Sequence, residues 1–124
     1  MPSPTPLTIA TKAVNRLVKE EKYYQKEQLQ QTERVKKLEA EAADKNNSSS
    51  GDGNAEFVLK QERKALEETK TVFLPLNEKI AEAVSRLEEQ IATAEGDGGS
   101  PADEVAKAKE ALELGKAVGE PAAV

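Results

Sequence analysis

Two long stretches of this sequence carry apolar side chains at alternating steps of four and three residues. That spacing keeps a stripe of side chains on one face of an α-helix and nowhere else. The first stripe reads Ala10, Val14, Leu17, Glu21, Tyr24, Gln28, Gln31, Val35, Leu38, Ala42. Its ends are apolar and its middle is polar. The second reads Leu59, Glu62, Leu66, Thr69, Phe73, Leu76, Ile80, Ala83, Leu87, Gln90, Ala94. Val58, Val72, Val84 and Ile91 widen the second stripe into a broader apolar face. No segment shows the two-residue alternation of a half-buried strand.

Breakers divide the chain. Asn46-Asn47-Ser48-Ser49-Ser50-Gly51-Asp52-Gly53-Asn54 is the first, and Gly96-Asp97-Gly98-Gly99-Ser100-Pro101 is the second. The expected organisation is a flexible arm at 1–6, helix 1 at about 7–43, a loop at 44–54, helix 2 at about 55–95, helix 3 at about 101–116 and a flexible tail at 117–124. Thr8 is a candidate cap for helix 1. Pro75 lies inside helix 2, where it removes a hydrogen bond to the Thr71 carbonyl and should kink the helix at a cost of about 3 kcal/mol. For helix 3, Ser100 is the expected cap and Pro101 the first helical residue. Asp103 and Glu104 complement its positive end. Val105, Ala108 and Leu112 form its thin apolar stripe, and Gly115 and Gly119 suggest fraying.

The first two helices are each about 55–60 Å long at the usual rise, and a short loop returns the chain. Antiparallel pairing then sets Val35 by Leu66, Gln31 by Thr69, Tyr24 by Leu76, Leu17 by Ala83 and Val14 by Leu87. The Gln31–Thr69 layer is of the kind that fixes register. Helix 3 folds back over the C-terminal half of helix 2, with Val105 near Ile91 and Leu112 near Val84. The expected fold class is therefore all-α: an elongated three-helix bundle of two long antiparallel helices plus a short third helix. Closure of the seam by helix 3 favours a monomer.

Composition narrows the chemistry. The 124 residues include no Cys and no His. Thiol nucleophiles, imidazole bases and the usual zinc ligands are all absent. Aromatic residues make up 3% of the chain, too few for a deep aromatic-lined pocket. Carboxylate pairs such as Glu20-Glu21, Glu67-Glu68, Glu88-Glu89 and Asp103-Glu104 lie on charged helix faces, where nothing separates their acidities. Asp52-Gly53-Asn54-Ala55-Glu56 opens like a calcium loop, but Phe57 and Arg63 occupy the positions that require Gly and Glu. Gly96, Gly98 and Gly99 are not followed by the Lys-Ser/Thr of a phosphate loop. The expectation is a non-enzyme with no catalytic residues, no cofactor, no metal and no small-molecule substrate. No apolar run approaches a membrane span, and the first six residues lack the pattern of a signal peptide. The cytosol is the default location, and the sequons at Asn46 and Asn47 are expected to be idle.

The net charge is -5, unevenly placed. Residues 1–37 carry eight basic and four acidic side chains, the remainder ten and nineteen. An acidic protein with one basic arm, itself interrupted by acids, is not a general nucleic-acid binder. On helix 1, Lys12, Arg16, Lys19, Tyr23 and Lys26 fall within about 80° of one another, nearly opposite the seam. Tyr23 should be exposed in this basic row while Tyr24 packs inward. Exposed Tyr and Arg are common interface anchors. An ordinary solvated face with a partly covered Tyr is the alternative.

Four segments bring a family into view: Val14-Asn-Arg-Leu-Val-Lys-Glu20, Tyr23-Tyr-Gln-Lys-Glu27, Lys60-Gln-Glu-Arg63, and Leu66-Glu-Glu-Thr-Lys70 followed by Phe73-Leu-Pro75. In order and spacing the chain resembles tubulin-binding cofactor A over about residues 7–95 and, loosely, helix 3. The resemblance implies a cytoplasmic, cytoskeleton-associated chaperone. It would reversibly bind β-tubulin released from the chaperonin and pass it to the other tubulin-folding cofactors that assemble the αβ heterodimer. Candidate contacts are Arg16, Lys19, Tyr23, Lys26, Lys64 and Lys70. The chain departs from the family in its Ser/Gly/Asn loop at 46–54 and its Gly-rich second turn, so loop-based contacts are in doubt. The competing reading is a coiled-coil scaffold that forms homo-oligomers through its seams. A prefoldin-like subunit would need β-hairpins that the 46–54 segment cannot supply.

Overall fold

The computed structural model describes residues 3–43 and 54–118. The expected loop at 44–53, with both sequons, lies outside the described residues, as do residues 1–2 and the tail from Gly119. The described residues form α1 (Pro6–Ala43), α2 (Asn54–Asp97) and α3 (Ala102–Val118), with no strand among them. No described helix is long and apolar enough to cross a membrane.

Local chemistry explains the ends. Thr5, not Thr8, caps α1: its Oγ1 accepts the Thr8 N–H at 3.1 Å. Pro6 then takes the first helical position, where its missing N–H costs nothing. α2 runs past Gly96 to Asp97 and stops where Gly98 adopts φ 68°, its N–H donating to the Ala94 carbonyl at 3.0 Å. A glycine takes this left-handed turn without strain. At the start of α3 the Val105 N–H donates to the Pro101 carbonyl at 3.2 Å, so the boundary residue is Pro101 rather than Ser100.

The chain divides into two compact units, Met1–Lys22 with Leu74–Val124, and Tyr23–Phe73. The first holds three helical segments. Its core joins Leu7, Ala10, Val14 and Val18 of α1, Leu87, Ile91 and Ala94 of α2, and Ala108 and Ala111 of α3. Val14 and Leu87, partners in the sequence register, are both fully buried. Val105 and Leu112 pack at the margin of this core, half-buried. The row that α3 buries is Ala108, Ala111 and Gly115, so the expected Val105–Ala108–Leu112 stripe is rotated. Gly115 does not fray the helix, which continues to Val118. Its missing side chain lets α3 approach: a Cβ there would lie 2.6 Å from Val84 Cγ2 and 3.0 Å from Val14 Cγ1. A carboxylate ties the start of α3 to the start of α1. Glu104 Oε1 accepts the Thr5 hydroxyl at 2.9 Å and the Thr8 hydroxyl at 2.6 Å.

The second unit contains the C-terminal part of α1 and the N-terminal part of α2. Val35, Leu59 and Leu66 are buried together, with Leu38 packed against them. Arg34 pairs with Glu62 at 3.2 Å and Arg63 with Glu39 at 3.2 Å, both at the surface. Such exposed pairs contribute about 0–1 kcal/mol each. The expected Gln31–Thr69 layer carries no mutual hydrogen bond. The Thr69 hydroxyl donates to the Ala65 carbonyl at 3.0 Å, and Gln31 Oε1 is buried without a partner. A threonine inside a helix commonly bonds back one turn in this way.

α2 is helical through Pro75. Proline has no N–H to offer the Thr71 carbonyl. On its C-terminal side Leu76 and Ile80 are buried in the three-helix unit, which offsets that loss.

Candidate protein-binding faces

Helical geometry turns Lys12, Arg16 and Lys19 away from the three-helix core. On α1 the buried positions Leu7, Ala10, Val14 and Val18 occupy one side, and these three cations are exposed on the other. Arg16 and Lys19 lie about 60° apart around the helix. Ion pairs among the described residues use Arg34, Arg63, Lys70, Lys109 and Lys116. None of these pairs uses Lys12, Arg16 or Lys19.

One residue of this face escaped the sequence reading. Ile9 is 55% exposed, and it stands two turns before Arg16 on nearly the same line of the helix. An exposed isoleucine beside arginine and lysine has the residue types that protein contacts use. Its signal was available, since Ile9 falls off the seam steps that pass through Ala10. Beside this face a groove of about 350 Å³ runs between α1 and α3, with Lys12, Asn15, Lys107 and Leu114 among its lining residues.

In the two-helix unit, Tyr23 and Lys26 are exposed on α1 and Tyr24 is half-buried. The two rings meet edge to face, with centroids 5.3 Å apart and planes at 78°. A hydrogen bond and the charge of Glu27 push the Tyr23 phenol above its ordinary value of 10.0. Tyr23 therefore stays neutral at physiological pH and presents an exposed ring that meets Tyr24 edge to face. Such a ring loses little entropy on binding.

The α2 candidates are less coherent. Lys64 and Lys70 are both exposed, but they lie about 120° apart around α2. Lys70 is already engaged with Glu67 at 3.3 Å. They do not form one row. Among the described residues, no group of His, Cys, Asp and Glu is placed to hold a metal ion.

What these faces can do chemically is recognise another protein. Residues 2–112 match the family model for tubulin binding cofactor A. The chain is 37% identical over 94 residues to the tubulin-specific chaperone A of Saccharomyces cerevisiae, an alignment covering 76% of this chain and 79% of that protein. No solved structure matches the chain. A family match running from ahead of α1 well into α3, joined to that level of identity, means that the chain belongs to the tubulin binding cofactor A family.

Proposed function

We propose that this protein is a cytoplasmic, monomeric tubulin-folding chaperone that reversibly binds free β-tubulin and stabilises it before the αβ heterodimer forms. Family membership and the yeast relative support tubulin as the partner. The observation that supports the reading lies on α1 within the three-helix unit, where exposed Lys12, Arg16 and Lys19 stand beside exposed Ile9. In a protein of net charge -5, a local surplus of positive charge steers an acidic partner surface to one face. Ile9 then supplies the apolar contact that charge alone does not.

The mechanism is binding, with no chemical step. A ligand that prefers the folded subunit stabilises it by mass action, in proportion to the logarithm of its concentration over Kd. Covering surface that is exposed before αβ pairing also limits aggregation. Within each unit we infer that α1 and α2 run antiparallel. Core partners such as Val14 with Leu87, and ion pairs such as Arg34 with Glu62, fall close to the register of the heptads.

Charge reversal tests the face. The Lys12→Glu/Arg16→Glu/Lys19→Glu protein is expected to bind β-tubulin at least about tenfold more weakly at ~0.1 M salt, a loss of about 1.4 kcal/mol. Its circular dichroism should match the wild type, because all three side chains are exposed. Binding by a folded variant at wild-type affinity would contradict the assignment of this face.

A further inference from the structure

We propose that Thr5 is a phosphorylation site for a proline-directed Ser/Thr kinase, and that phosphorylation detaches the start of α1 from Glu104 of α3. The sequence here is Ser3-Pro4-Thr5-Pro6. Each proline holds the residue before it in an extended conformation. Residues 3–5 precede α1 and are exposed. An exposed, extended Thr-Pro is the shape and chemistry that a proline-directed kinase cleft accepts.

The Thr5 hydroxyl bridges segments far apart in the chain. It donates to Glu104 Oε1 at 2.9 Å, and the same oxygen accepts the Thr8 hydroxyl at 2.6 Å. In the transfer, the γ-phosphoryl group of ATP moves to Thr5 Oγ1. The new O–P bond forms as the bond to the bridging oxygen of the departing ADP breaks, and the hydroxyl proton passes to the kinase base. That proton is the one now donated to Glu104, so the hydrogen bond is lost by the chemistry itself. In its place stands a group of roughly -1.5 to -2 charge beside a carboxylate. Lys12 and Lys107 line the same groove as Glu104 and soften the repulsion without restoring the bond.

The two helices respond differently. The Leu7 and Thr8 N–H groups at the first turn of α1 are natural partners for the phosphate, so α1 keeps its start. The first turn of α3 loses the Thr5 donor, keeps only the Thr8 hydroxyl, and faces a like charge. The modification therefore loosens α3 selectively. Ser3-Pro4 and Ser100-Pro101 repeat the dipeptide, but Ser100 is half-buried, and the contact to α3 is made by Thr5.

The test uses the full chain carrying Ser3→Ala/Ser100→Ala, incubated with ATP and a purified kinase of the mitogen-activated class. Mass spectrometry is expected to find one phosphate, on Thr5. Failure to modify Thr5 overturns the proposal. Amide hydrogen exchange in α3 should then quicken by about tenfold or more in the phosphorylated chain. Adding Glu104→Gln removes the opposing charge, and phosphorylation should then leave α3 exchange nearly unchanged. Unchanged exchange with Glu104 present, or equal acceleration with Gln in its place, overturns the switch.

Discussion

Replacing Leu87 with Ala is expected to lower stability by about 2–5 kcal/mol, the range for a buried leucine emptied into a cavity. Leu87 is 0% exposed and lies in the core that joins all three helices of its unit. Its neighbours cannot collapse into the space. Ala108 and Ala111 have no side chain to extend, and Val14, itself fully buried, is stiff at its branched β-carbon. A domain of this size is stabilised by only about 5–15 kcal/mol. The loss should therefore show as a clear fall in the urea midpoint with little change in slope. A Leu114→Ala control, at a residue 46% exposed, should shift the midpoint far less.

Gly115→Ala is the second large effect, and its sign is informative. Helix propensity alone predicts a gain of about 1 kcal/mol, since alanine is the better helix former. Packing predicts a loss. The added methyl would stand 2.6 Å from Val84 Cγ2 and 3.0 Å from Val14 Cγ1. Both neighbours are buried, β-branched valines with little rotamer freedom, so relief requires α3 to move outward. Overpacking of this kind costs about 1–3 kcal/mol, and the contacts are close enough to place the cost near the upper end. The net expectation is destabilisation by roughly 1–2 kcal/mol after the propensity gain is subtracted. Thermal denaturation measures it. A Val84→Ala partner substitution should recover part of the loss in a double-mutant cycle, because it removes the methyl that is struck.

The seams of α1 and α2 could be read from the chain because large apolar side chains recur at a helical period. Val14, Leu17, Val35, Leu66, Leu76, Ile80 and Leu87 are buried where that period puts them. α3 resisted the same reasoning for a physical reason. It packs through Ala108, Ala111 and Gly115, small residues that permit close approach and carry almost no hydropathy signal. Reading the larger Val105 and Leu112 as the stripe rotated the helix. The α1 cap was missed although Pro6 points to it, since a proline at the first helical position makes the preceding Thr5 the cap.

The candidate faces were legible in part. Angular position alone separates exposed Tyr23 from half-buried Tyr24. Ile9 stands off the seam steps that pass through Ala10, and its exposure shows it turned outward. The chemistry of the partner is another matter. Exposed cations and an exposed apolar side chain specify no particular protein. Tubulin enters through the family, by segments such as Tyr23-Tyr-Gln-Lys-Glu27 whose physics is that of any charged helix.

The most direct measurement offers the immobilised full chain equal concentrations of free β-tubulin and αβ-tubulin and records what each leaves behind after washing. Selective, salt-sensitive retention of the free β subunit is the predicted result. Equal retention of the heterodimer, or retention of neither, would contradict the claim that this protein holds β-tubulin before its partner arrives.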